Sequence, residues 1–206
     1  MFYDHEEPRK ESRWEAGSVC TDLAPKNKSK YTMLMCNYLE GRGLRYGFAR
    51  RQGWYPCERK GARILIPATS QIPGHTYWQA RAIEGQELRY ESPNGPRRDS
   101  LIVMDRKSAA TAIVEGPMDA LAMAEIGVNA IALMGISPND EALQHLVSLT
   151  SGKSVVYCLC DRDQVHGMMK VQSYLAQREI YSELKCPVLG KDVAEMTVEE
   201  RKEVLK

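Results

Sequence analysis

From residue 112 onward the chain alternates short apolar runs with helix-length segments. Ala112-Ile113-Val114-Glu115 reads as a strand, and Pro117 to Ile126 as a helix opened by proline and closed by Gly127. Asn129 to Met134 follows as strand, Pro138 to Leu149 as helix and Ser154 to Cys160 as strand. Val165 to Arg178 is then helix, and Tyr181 to Val188 strand again. Three βα units in succession predict a parallel sheet with helices on both faces. Upstream the rhythm differs. Tyr31 to Glu40 predicts a short helix stopped by Gly41 and Gly43, and Arg63 to Pro67, His75 to Ile83 and Glu87 to Glu91 predict strands, the last after a turn containing Gly85. Residues 1–30 are polar, rich in Lys and Glu, and lack an apolar period, which predicts a flexible lead-in. The expected fold is α/β: a helix-flanked parallel sheet over residues 108–206, preceded by a smaller, mainly β subdomain over 31–107.

Charge sharpens this division. The net charge of +1 over 206 residues hides a balance of +7 in residues 41–107, −5 in 108–206 and −1 in 1–40. A basic segment joined to an acidic one suits a protein that grips a polyanion beside clustered carboxylates, although two solvated faces would read the same way. The N-terminus, Met1 to Glu7, is acidic and polar, unlike a signal peptide. The apolar runs are strand-length, far short of the roughly 20 residues that span a bilayer. A cytoplasmic protein with no membrane partner is expected. Of the six cysteines (Cys20, Cys36, Cys57, Cys158, Cys160 and Cys186), no two have C-x-x-C spacing, so reduced structural thiols are expected and a zinc ribbon is not. Trp54 and Trp78 belong either to a base-stacking surface or, as is commoner in strands, to the core.

Functional groups of an open parallel sheet collect at the carboxyl ends of its strands. Glu115 ends one strand, and Asp161 and Asp163 lie just past the end of another. Carboxylates converging on one rim repel unless cations occupy it, and hard oxygen donors select Mg²⁺ or Mn²⁺. Taken singly, each has a plainer reading, as a helix-terminus charge or a turn residue. It is Glu-Gly-x-x-Asp after one strand together with Asp-x-Asp after another that points to metal.

These residues resemble a known family. Val114-Glu115-Gly116-Pro117-Met118-Asp119-Ala120 is similar to the first Toprim motif and Asp161-Arg162-Asp163 to the second; Gly190-Lys191-Asp192 resembles the third. Toprim folds occur in primases, topoisomerases, nucleases and recombination mediators, and the flanking segments favour primase. Tyr38-Leu39-Glu40-Gly41-Arg42-Gly43-Leu44 resembles the "YLxxRGL" helix end of bacterial and phage primases. Arg63 to Pro67 resembles the strand opening their basic subdomain, Tyr77-Trp78-Gln79-Ala80-Arg81 their "GFxGR" strand, and Arg89-Tyr90-Glu91-Ser92-Pro93 their "KYLNSP" element. The likeness runs from about residue 38 to 196. Arg162 stands where the family usually has Gly, Val165-His166 replace its "AG", and Asp192 lacks a second Asp two residues on, with Glu195 as the nearest substitute.

The resemblance implies a catalytic core, from a bacterium or a phage and at work in bacterial cytosol, that copies single-stranded DNA into short RNA primers from ribonucleoside triphosphates. Glu115, Asp161 and Asp163 would be catalytic and hold Mg²⁺ or Mn²⁺, Glu115 as a ligand or as the acceptor of the attacking hydroxyl's proton. Asp192 would add a further ligand. Asp119 would either join them or serve only as a favourable charge at a helix N-terminus. Arg81, Arg89, Lys107 and Lys191 would bind triphosphate or DNA. Arg81 and Arg89 share a face if a three-residue loop joins their strands, and lie on opposite faces if a two-residue turn does. A Toprim nuclease and a non-catalytic nucleic-acid-binding module are the alternatives. With no zinc-spaced cysteine pair and no Walker A motif, a replicative helicase or a separate zinc-bearing subunit is expected to assist in trans.

Overall fold

The computed structural model describes residues 27–70, 77–93, 100–135, 137–187 and 191–206. The expected lead-in over residues 1–26, the start of the His75 strand, the end of the Val188 strand and Gly190 lie outside them.

One long strand organises the first half of the chain. β2 (Ala62–Ser70) buries Ile64, Leu65 and Ile66 completely, so it is apolar on both faces and needs cover on each. Along one edge it pairs antiparallel with β3 (Tyr77–Ala82), which pairs in turn with the two-residue β4 (Tyr90–Glu91). Along the other edge β1 (Tyr55–Glu58) covers its beginning, and β5 (Ser100–Met104) takes over near its end, Thr69 lying opposite Leu101. β1 contains Pro56, which lacks the N–H that a central strand must donate, and among the described residues it pairs with β2 alone.

Through β5 the sheet passes into the second half. β5 pairs antiparallel with β7 (Asn129–Ala132), and β7, β6 (Ala110–Val114), β8 (Val155–Leu159) and β9 (Ser182–Lys185) then run parallel. The result is one nine-stranded sheet in the order β4-β3-β2-β5-β7-β6-β8-β9, with β1 beside β2. Side chains alternate across it as the strand period of two requires. Ala112 and Val114 join the core beneath α1 (Lys28–Glu40), α2 (Tyr46–Arg51) and α3 (Pro117–Glu125). Ile113 joins the opposite core beneath α4 (Asp140–Thr150) and α5 (Val165–Ala176). The expected parallel sheet with helices on both faces is therefore present. The elements without a sequence expectation are α2, β1, β5 and α6 (Val198–Glu203). Trp54 and Trp78 are both buried in core clusters and so are unavailable to stack on bases.

A buried charge cluster fixes the β3–β4 hairpin. Arg63 is 1% exposed and donates from Nε to the Arg59 carbonyl (2.8 Å) and from Nη1 to the carbonyls of Ala80 (3.1 Å) and Leu88 (3.0 Å). Glu91 closes the cluster, with Arg59 at 3.0 Å, Lys60 at 3.5 Å and Arg63 at 3.7 Å. The register this sets places Arg81 opposite Tyr90, while the Ala82 N–H donates to the Arg89 carbonyl (2.9 Å). Arg81 and Arg89 therefore do not face each other. The connection over residues 83–88 is longer than either loop considered from sequence, and the expected Glu87–Glu91 strand shrinks to Tyr90–Glu91.

Arg63→Met should cost about 3–5 kcal/mol of stability, because Glu91 and three carbonyls lose a buried partner. Urea unfolding of the two proteins checks this; a loss below about 1 kcal/mol would mean the cluster is not what holds the hairpin.

Candidate active site

β6 and β8 pair in parallel with Ile113 opposite Cys158, so the chain leaves both strands at the same edge of the sheet. Glu115 comes immediately after β6, and Asp161 two residues past the end of β8. Asp119 stands in the first turn of α3, whose N-cap is Gly116. A Cβ at Gly116 would lie 3.2 Å from Asp119 Oδ2, so glycine leaves this carboxylate room to lie back over the helix start. The positive end of α3 favours a negative charge there. Asp119 Oδ1 also accepts a hydrogen bond from the Ala194 N–H (3.0 Å). That bond brings in a third segment, the 3₁₀ turn Val193–Glu195, with Asp192 as its N-cap. Asp192 and Glu195 form a reciprocal capping box, the Glu195 carboxylate accepting from the Asp192 N–H (3.4 Å).

The carboxylates open onto one cleft. From the second half of the chain it is lined by Glu115, Gly116, Met118, Asp119, Asp161, Asp192 and Ala194, and from the first half by Arg42, Arg89 and Tyr90. Arg42 lies just beyond α1, donates to Glu195 Oε1 (3.5 Å) and stands 5.7 Å from the Tyr38 ring. Arg81 backs this wall without lining it. It is 7% exposed, donates from Nε to the Tyr38 hydroxyl (2.9 Å), and stands 4.9 Å from the Tyr90 ring.

The residues expected from sequence thus separate. Glu115, Asp119, Asp161, Asp192 and Arg89 meet in the cleft. Asp163 does not line it; it is exposed on the turn Arg162–Gln164, where it accepts from Gln164 Nε2 (3.2 Å). Lys107 lies before β6, at the edge of the sheet opposite the carboxylates, and pairs with Asp105. Lys191 donates to both oxygens of Glu200 (2.6 and 2.8 Å), which occupies its ammonium. Arg42 and Tyr90 are cleft residues that the sequence alone did not single out. Both sit inside segments that resemble the primase family, and the placing of Arg42 between two glycines was the visible signal.

Burial and mutual repulsion together set the electrostatics. Burial pushes the Glu115 carboxyl above the usual range, and the charges of Asp161, Asp163 and Asp192 push it further, against the pull of Arg89. Burial raises Asp161, with Asp192, Asp163 and Glu195 adding to it. Asp119 is pushed up to about 7, by burial first, with Asp192, Asp161 and Glu115 adding and the Ala194 hydrogen bond opposing. Among the described residues no three His, Cys, Asp or Glu side chains already form a metal cage. The donors are nonetheless all hard carboxylate oxygens whose repulsion a divalent cation relieves, so they fit Mg²⁺ or Mn²⁺ rather than a soft metal. The buried thiols are poor nucleophiles and poor metal ligands, because burial pushes Cys57 and Cys160 to about 12 and Cys158 to about 11.

A carboxyl whose pKa is higher in the folded than in the unfolded chain holds its proton more tightly when folded. Its contribution to stability is complete below about pH 4 and is lost as pH rises to about 7. In metal-free protein the unfolding temperature of Asp119→Asn should therefore rise relative to the parent between these limits, and saturating Mg²⁺ should shrink the difference. A difference that does not change with pH would show that Asp119 ionises normally.

Residues 112–196 match the Toprim-like family. No curated protein sequence matches the chain. Among solved structures, the RNA polymerase domain of Mycobacterium tuberculosis primase DnaG is 17% identical, with a TM-score of 0.66 over 87% of this chain and 77% of that one. The E. coli primase catalytic core is likewise 17% identical, with a TM-score of 0.65 over 85% and 72%. A DnaG primase catalytic domain bound to single-stranded DNA is also 17% identical and gives a TM-score of 0.66 over 90% and 73%. Residues 112–196 are thus similar to the Toprim-like family, and the chain shares the fold of these primase catalytic cores.

Proposed function

We propose that this chain is the catalytic core of a DNA primase, joining ribonucleotides on a single-stranded DNA template in the bacterial cytosol with Mg²⁺ or Mn²⁺. The observation that carries this reading is the cleft itself, in which Glu115, Asp119, Asp161 and Asp192 open onto the same space as Arg42 and Arg89. Nucleotidyl transfer asks for neutralised charge and in-line positioning more than for covalent chemistry. Asp161 and Asp192 would hold the cation with Asp119, and the bound ion would neutralise charge on the transferring phosphoryl group. Arg42 and Arg89 would grip the triphosphate, and Arg81 would hold Tyr90 and Tyr38 in place behind them. Glu115, with its raised affinity for a proton, is suited to accept the one released by the attacking hydroxyl. Asp163, exposed beside the cleft, would reach the ion by a side-chain rearrangement. The DNA-bound relative supports a single-stranded template. A helicase or zinc-bearing subunit acting in trans would supply unwinding and start-site choice.

The test is incubation with single-stranded DNA, labelled ribonucleotides and Mn²⁺. Short labelled products are expected. Loss of template would identify a nuclease instead, and binding without chemistry a non-catalytic module. Asp161→Asn should abolish synthesis while leaving the metal-free unfolding temperature equal or higher, since it removes one repelling charge. Full activity in that variant would remove Asp161 from the mechanism.

Arg89→Ala should lower nucleotide incorporation more than it lowers DNA binding, which is itself expected to weaken steeply with salt. Parallel measurement of both quantities checks this, and a collapse of DNA binding at unchanged nucleotide use would reassign Arg89 to the template.

A further inference from the structure

Arg201 lies outside the segment matched to the Toprim-like family and is 1% exposed. A buried guanidinium is costly unless its surroundings demand it. Here the demand comes from the turn that carries Asp192. Arg201 Nε donates to the Val193 carbonyl (3.3 Å) and Nη2 to the Ala194 carbonyl (3.2 Å), both from the interior side. On the cleft side of the same turn, the Ala194 N–H reaches Asp119 and Asp192 lines the cleft. An apolar side chain of equal volume would fill the space but take the side-chain donor from both carbonyls, leaving Val193 with only the Met196 N–H (3.3 Å).

The third nitrogen of the fork ties the turn to the basic wall. Arg201 Nη1 stands 4.0 Å from Glu125 Oε2, at the end of α3, and the Glu125 side chain is only 4% exposed. Glu125 Oε1 accepts from the Arg45 N–H (2.6 Å), and Arg45 Nη2 donates to the Glu125 carbonyl (3.4 Å). Arg45 is three residues beyond Arg42 in the segment joining α1 to α2. One buried ion pair therefore connects the Asp192 turn, the helix of Asp119 and the segment that holds Arg42.

We propose that Arg201, braced by Glu125, is a positioning residue: it sets the Asp192 turn against Asp119 and against the Arg42 wall, and so governs how tightly the cleft holds a divalent cation. This rests on the primase reading for its consequence but not for its geometry. Arg201→Met should weaken Mn²⁺ binding by about tenfold or more, the usual scale for groups that orient ligands without touching the metal. Primer synthesis should recover at high Mn²⁺, so that the metal requirement rises more than the maximal rate falls. Arg201→Lys, which keeps the charge but not the planar fork, should fall between parent and Arg201→Met. Leu65→Ala, a truncation in a separate core, should lower the unfolding temperature and leave Mn²⁺ affinity unchanged.

Amide hydrogen exchange at Ala194 gives a readout that needs no activity: protection in the parent should be lost in Arg201→Met at temperatures where circular dichroism shows both folded. Should Arg201→Met not fold, Arg201→Lys and Glu125→Gln carry the same measurements. Parental Mn²⁺ affinity together with parental Ala194 protection in the folded variants would overturn the inference. If the parent chain binds no Mn²⁺ and makes no primers, the primase reading fails, and Ala194 exchange alone judges the positioning role.

Discussion

Glu115, Asp119, Asp161 and Asp192 share one rim because parallel pairing of β6 and β8 delivers both chain exits to the same edge, and the start of α3 and the Val193–Glu195 turn lie against it. Their repulsion is the constraint around which the rest of the cleft is organised. Burial first, and then each neighbouring carboxylate, makes Glu115, Asp119 and Asp161 harder to ionise. The backbone compensates only in part, with the Ala194 N–H and the N-terminal end of α3 turned toward Asp119. What remains is a standing affinity for positive charge, held in place by backbone rather than by side-chain choice.

The basic wall answers that charge from a different part of the chain, and β2 makes the two inseparable. Its first two-thirds belong to the antiparallel strands that carry Arg81 and Tyr90, and its last residues pair with β5, which continues into the strands that carry the carboxylates. Because the sheet is continuous, the separation between Arg89 and Glu115 follows from hydrogen-bonded strands and not from a linker. Arg63 and Glu91 work on the same distance locally, since the Leu88 carbonyl they secure immediately precedes Arg89. Charge complementarity across the cleft is thus a property of the fold, with few degrees of freedom left to the side chains.

The strands and helices of the second half were legible in the sequence because apolar runs and helix-length segments alternate there repeatedly. Ala112 to Val114 and Val155 to Leu159 show this best, and they position the first two acidic motifs correctly. Other elements were not legible: β1 carries a proline, α2 is six residues long, and β5, as long as β6 and β8, stands outside the βα alternation and pairs antiparallel with β2 and β7. The carboxylates could be named because their types and spacing carry the chemistry. The basic residues could not be sorted that way, since an arginine in or beside a strand reads alike whether it lines the cleft, as Arg89 does just before β4, or packs behind it, as Arg81 does. Lys107 and Lys191 proved to be paired elsewhere, Lys107, itself left-handed, with Asp105 two residues back, and Lys191 with Glu200 on the last helix. Arg201 went unnoticed for the opposite reason: a charged residue in a C-terminal helix reads as solvated surface until its burial is seen.

The third acidic segment shows how a departure from a family pattern is absorbed physically. Where primases of the resembled type offer two aspartates, this chain has Asp192 followed by Val193, Ala194 and Glu195. Glu195 does not take the second aspartate's place in the cleft. Its carboxylate accepts from the Asp192 N–H and from Arg42, so it is spent on closing the turn and anchoring the basic wall. The rim thus carries one carboxylate fewer than the resembled pattern, and the turn behind it is capped by Asp192 and Glu195 on one side and held by Arg201 on the other. A site with fewer ligands depends more on the placement of those it keeps. That dependence is why a buried arginine behind the turn matters to the chemistry in front of it.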